Sequence, residues 1–148
     1  MLWLGWVVVS LSWALSPFFS VRFPFEGSVS FITGLVLVLA GFAGTFWAHA
    51  SMGDAWRIGV DGTEKTPLVT KGPYSRMRHP IYAFQCLILA GIFLLEPSPV
   101  TLLALFIHRT LVSFKLRDEE EHLERLHGPL YKEYRARTGS LWPKFNSA

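Results

Sequence analysis

Apolar residues fall into four runs separated by polar stretches, and the lengths of those runs predict a helical membrane protein. The first occupies about residues 2–19 and the second about 29–50, where Gly34, Gly41 and Gly44 offer small surfaces for close helix approach. The third, 81–95, and the fourth, 100–114, are shorter than the usual span. Between them stands Glu96-Pro97-Ser98-Pro99. Its prolines cannot continue the third helix but can open the fourth, so the pair reads as a tight helical hairpin. Beyond it, Leu116, Leu123, Leu126 and Leu130 supply a partial apolar face to a tail helix running to about Arg137, with a break expected at Gly128-Pro129. The expected fold is therefore all-α: an integral membrane protein of about four transmembrane helices, whose C-terminal segment, 115–148, is cytoplasmic and completes a pocket.

Composition supports this pattern. Half of the 148 residues are apolar (51%) and only 17% are charged, against roughly 25% in soluble domains. Four spans consume more than half the chain, which leaves room for a single domain over 1–148. The first run lacks a positively charged leader, and Ser16-Pro17-Phe18-Phe19 is a poor cleavage site, so it reads as a retained span. Cys86 is the lone cysteine, which excludes an intrachain disulfide and a cysteine-based metal site.

Charge sets the orientation. Lys and Arg concentrate in 51–78 and after Phe114, while the connections around Arg22 and Glu96 carry few. Both basic segments belong on the cytoplasmic side, as do both termini, and an inner membrane of bacterial type is the expected location. The net charge of +3 serves topology and anionic headgroups; no nucleic-acid motif is present.

Chemistry concentrates where polar residues interrupt the apolar pattern. Gly72-Pro73-Tyr74 and Arg78-His79-Pro80-Ile81-Tyr82 precede the third run, and Glu119-Glu120 follow the fourth. Arginine, histidine, tyrosine and paired carboxylates at the mouth of a helical bundle can bind a zwitterionic small molecule while facing a lipid-soluble one. Each also has a structural use: His79-Pro80 as a helix start, Glu119-Glu120 as a solvated charge run, Tyr131 and Tyr134 as interfacial anchors. Arg109, inside the fourth run beside His108, is costly in a bilayer and so defaults to a function, with snorkelling as its other reading.

Leu68-Val69-Thr70-Lys71-Gly72-Pro73-Tyr74, the Arg78-to-Tyr82 block, the apolar hairpin, Glu119-Glu120 with Leu123, and Gly128, Tyr131, Tyr134 and Pro143 follow one another at a spacing that resembles the isoprenylcysteine carboxyl methyltransferase and phospholipid methyltransferase superfamily. The resemblance covers the C-terminal half. It implies a membrane enzyme using S-adenosylmethionine, with a lipid-like or otherwise membrane-soluble acceptor among membrane lipids. Ala83-Phe84 and His127-Gly128 depart from the pattern common among relatives. On this resemblance Glu120, with Glu119 beside it, would meet the cofactor ammonium. Arg78, His79 and Tyr82 would meet its carboxylate, Tyr131 joins the candidate cofactor-binding residues, and Arg109 is the candidate for orienting the acceptor in catalysis. The segment Gly53 to Asp61 resembles one found in bacterial members with unassigned acceptors. A nicotinamide-dependent reductase of the sterol-reductase type and a non-enzymatic membrane scaffold or transporter component are the alternatives.

Overall fold

The computed structural model describes residues 14, 27–53 and 67–145. All but Ala14 of the expected first span, and residues 54–61 of the segment after the second, lie outside the described residues. The described chain is helical: α1 (Ser28–Met52), a 3-10 turn (Gly72–Ser75), α2 (Pro80–Leu95), α3 (Pro99–His127) and α4 (Pro129–Arg137). Among the described residues there is no strand; one isolated parallel bridge joins Met77 to Gly139.

The second, third and fourth apolar runs each coincide with a helix. α1, at 25 residues, reaches about 37 Å and exceeds the roughly 30 Å of a hydrocarbon core. α3 is also long and apolar enough to cross a membrane, whereas α2, with 16 residues, is a shorter apolar helix. The expected boundary between a fourth span and a separate tail helix is absent. α3 runs unbroken from the apolar residues through Glu119-Glu120 to His127, because nothing between Phe114 and Leu116 interrupts helical propensity. The break comes at Gly128, whose φ of +54° precedes Pro129 at the first position of α4.

The hairpin linker is held by its own polar side chains. Ser98 Oγ accepts from the Thr101 backbone N–H, and Thr101 Oγ1 accepts from the Ser98 N–H, each at 3.1 Å. This reciprocal pair caps α3, and Thr101, 2% exposed, also donates to the Glu96 carbonyl.

Two compact units divide the chain. The first draws on the described residues of Met1–Phe42 and on Phe84–Val112. In it α1 and α2 approach so closely that a Cβ on Gly34 would meet the Gly91 carbonyl at 2.8 Å, and one on Gly91 the Gly34 carbonyl at 2.7 Å. Large apolar side chains, among them Val29, Phe31, Ile32, Leu35, Leu102 and Phe106, are exposed. Water would penalise that surface; lipid accepts it. The second unit draws on Ala43–Ala83 and Ser113–Ala148 and holds the polar cluster.

Candidate functional site

Within the second unit, the turn before α2 is fixed first. Gly72 has φ +57°, and a Cβ there would crowd the Ser51 side chain, so any other residue at this position is strained. The 3-10 turn that follows buries Pro73 and Tyr74. Tyr134, on α4 and 2% exposed, donates its hydroxyl to the Tyr74 carbonyl at 2.7 Å. The Arg78 N–H donates to the Gly139 carbonyl and the His79 N–H to the Ser140 carbonyl. The C-terminal segment thus aims the Arg78 and His79 side chains.

Those side chains meet the two glutamates of α3. Arg78 donates Nε and Nη2 to Glu120 Oε1 at 2.9 and 2.7 Å, and its Nη1 to the Thr138 carbonyl at 2.7 Å. Arg135 Nε lies 3.6 Å from Glu120 Oε2. His79, 5% exposed, stands between the glutamates, with Nε2 3.3 Å from Glu120 Oε1 and Nδ1 3.5 Å from Glu119 Oε2. Tyr82 donates its hydroxyl to Glu119 Oε1 at 2.7 Å, and Lys115 approaches the same oxygen at 3.8 Å.

The two carboxylates are not equivalent. Glu120, with a side chain 16% exposed, is the hub of the arginines; Glu119, at 37%, is the more open. Burial pushes the Glu119 carboxyl upward, yet hydrogen bonds with His79 and Tyr82 and the charges of His79 and Lys115 hold it below its ordinary value. The same balance, led against burial by Arg78, lowers Glu120. Both are poised as anions.

Tyr131 is fully buried in α4, and among the described residues its hydroxyl has no hydrogen-bond partner. Burial, then the Glu120 charge, pushes that hydroxyl up to about 12, with Arg78 and Arg135 acting in the opposite sense. A buried polar atom without a partner costs about 1–3 kcal/mol, so this hydroxyl is an unused donor beside a charged cluster.

Arg78, His79, Tyr82, Glu119, Glu120 and Tyr131 therefore all lie in one unit, and five of them are directly linked. Arg109 belongs to the other unit, on the apolar part of α3, and is exposed. The sequence reading missed Arg135 and Thr138. Both were within reach of helical spacing, since Arg135 follows Tyr131 by four positions and Thr138 follows Tyr134 by four.

The profile of the phospholipid methyltransferase family matches residues 29–129. Among curated proteins, the chain is similar to the nickel-cobalt-cadmium resistance protein NccN of Alcaligenes xylosoxydans xylosoxydans, at 29% identity over 66% of this chain and 46% of that protein. It is also similar to the uncharacterized protein YpbQ of Bacillus subtilis, at 35% over 53% of this chain and 48% of that protein. The cobalt-zinc-cadmium resistance protein CzcN of Cupriavidus metallidurans matches at 29% over 66% and 45%. The chain spans about half the length of these relatives. No solved structure matches it. The profile covers α1, α2 and α3 with both glutamates, and on that match the chain belongs to the phospholipid methyltransferase family.

Proposed function

We propose that this chain is a single membrane domain that transfers a methyl group from S-adenosylmethionine to a membrane-soluble or lipid-like acceptor, at a carboxylate, amine or thiol. The observation that carries the reading is the interleaving of charge around His79. Both guanidinium groups, of Arg78 and Arg135, pair with Glu120, while Glu119 is held by Tyr82 and Lys115, and His79 stands between the two carboxylates. An amino-acid zwitterion can enter such a cluster by exchanging partners, its ammonium taking a carboxylate and its carboxylate taking a donor. The donor set fits the cofactor. Glu119 and Glu120 would hold the ammonium, and Arg78, His79 and Tyr82 the carboxylate. The unpartnered Tyr131 hydroxyl is a further donor.

S-adenosylmethionine, when bound, supplies a methyl group activated by its sulfonium. The protein has to align the acceptor and exclude water, and needs a base only where the acceptor arrives protonated. Arg109 would orient an anionic group of the acceptor. We place four spans in the membrane, with both termini and the polar cluster on the cytoplasmic side of a bacterial-type inner membrane, as the Lys and Arg distribution favours.

The names of NccN and CzcN concern metal resistance in those proteins. Among the described residues here, no group of three or more His, Cys, Asp or Glu side chains is arranged to hold a metal ion, whereas the His79 nitrogens face two arginine- or tyrosine-bound carboxylates. The test is transfer of label from methyl-labelled cofactor to a total lipid extract by the purified protein in lipid nanodiscs. Label in the organic phase, lost with His79→Ala, supports the reading. No label from a folded, cofactor-binding sample refutes a lipid-like acceptor.

A further inference from the structure

The segment that pins Arg78 and His79 has an outer side as well as an inner one. Trp142 is 82% exposed and Phe145 69% exposed, values that a soluble surface avoids for its largest apolar side chains. Arg76 lies over the Phe145 ring, its guanidinium carbon 5.2 Å from the centroid. The Arg76 carbonyl accepts from the N–H groups of Gly139 and Lys144, which ties the aromatic segment to the turn before α2.

Charge around these aromatics has one sign. Residues 67–78 carry Lys71, Arg76 and Arg78, and 137–145 carry Arg137 and Lys144; neither stretch contains a carboxylate. Arg78 is committed to Glu120, but Lys71, Arg76, Arg137 and Lys144 are exposed, and the Lys144 ammonium, which donates to the Ala136 carbonyl at 2.6 Å, keeps further N–H donors for a phosphate. Depth is set by α1. The turn at Gly72 lies against the end of that helix, where an added Cβ would meet the Trp47 indole nitrogen at 3.3 Å. Trp47 is itself 53% exposed, near the end of a helix long enough to cross the bilayer. Tryptophan in that place belongs at headgroup level, and the turn beside it does too.

We propose that residues 138–145 form a membrane-docked strap, with Trp142 and Phe145 in the headgroup region and Arg76 and Lys144 on the phosphates of anionic lipids. The inner side of the strap supplies the carbonyls that hold Arg78 and His79, so lipid on the outer side stabilises the geometry of the polar cluster. An acidic soluble protein would also satisfy the charge; the exposed aromatics beside a spanning helix favour lipid. The inference rests on the chain's association with a membrane and is independent of methyl transfer.

The test attaches an environment-sensitive bimane to Trp142→Cys in a Cys86→Ala background, reconstituted in nanodiscs. One set contains phosphatidylcholine alone, and the other includes phosphatidylglycerol. Each carries a lipid nitroxide at headgroup depth as quencher. Blue-shifted emission and nitroxide quenching, both stronger with phosphatidylglycerol, are expected. Arg76→Gln and Lys144→Gln should each weaken docking by about fivefold, the worth of one cation near an anionic surface. The label at Phe145→Cys provides a second reporter should the first variant fail to fold. Water-like, unquenched emission, or quenching that ignores lipid charge and both substitutions, overturns the proposal.

Discussion

Replacing Glu120 with glutamine tests whether the polar cluster is one coupled unit. In the native protein Glu120 Oε1 accepts two hydrogen bonds from Arg78, at 2.9 and 2.7 Å, and lies 3.3 Å from His79 Nε2. The Arg78 side chain is only 9% exposed. Glu120→Gln keeps the shape and one acceptor oxygen but removes the charge, leaving the guanidinium with backbone carbonyls at Thr138 and Arg135. Stranding one partner of a fully buried pair costs about 3–5 kcal/mol. Here the carbonyls still solvate Arg78 and Glu120 is partly open, so the loss of charge-assisted hydrogen bonds sets the scale at about 2 kcal/mol. That is small enough for the protein to fold, given total stabilities of about 5–15 kcal/mol. Reversible unfolding in mixed micelles, followed for Glu120→Gln, Arg78→Gln and the double variant, measures the coupling directly. The double variant should lose less than the sum of the single variants by at least about 1 kcal/mol. Additive losses, or a Glu120→Gln protein as stable as the native one, would refute the coupling.

Tyr131→Phe should give effects of opposite sign: stability unchanged or raised by up to about 1 kcal/mol, because an unpartnered hydroxyl is removed, and weaker S-adenosylmethionine binding by calorimetry. Lower stability with native affinity would deny Tyr131 a ligand role. Tyr134→Phe deletes the donor to the Tyr74 carbonyl and should cost about 1 kcal/mol in the same unfolding assay; a neutral result would show that the turn before α2 does not depend on it. Arg109→Ala should leave cofactor affinity intact while slowing methyl transfer, and loss of affinity would place Arg109 in the cofactor site instead. Glu119 and Glu120 are held below their ordinary value of 4.5. Their contribution is therefore complete above that value and disappears as pH falls through the lowered range. The melting temperature of the native protein should drop more steeply on acidification than that of Glu120→Gln, and parallel curves would contradict the assignment.

Helix positions were legible in the sequence because length and apolar composition decide them: α1, α2 and the start of α3 lie where uninterrupted apolar runs meet Pro80 and Pro99. The Gly128 break was legible for the same local reason. The end of the fourth apolar run gave a misleading boundary, since a helix passes from lipid-compatible to charged residues without changing its backbone. Leu130 illustrates another limit: its spacing places it on an apolar face, yet it is 56% exposed after the break. Site residues could be named from motif order, but their pairing depends on tertiary placement. Nothing in Arg78 or Glu120 alone states that they bond each other across 42 positions, or that Thr138 and Ser140 carbonyls complete the cluster. The unequal exposure of Glu119 and Glu120 likewise comes from their neighbours on α2 and α4.

A cofactor role for the cluster around His79 requires that it receive a zwitterion. Calorimetric titration of the purified, detergent-solubilised protein with S-adenosylmethionine and its demethylated product, in parallel with Glu120→Gln, tests this directly. Saturable binding of both molecules by the native protein, lost or strongly weakened in the variant, is the predicted result. Absence of binding by a demonstrably folded native sample, or equal affinity in Glu120→Gln, would contradict it.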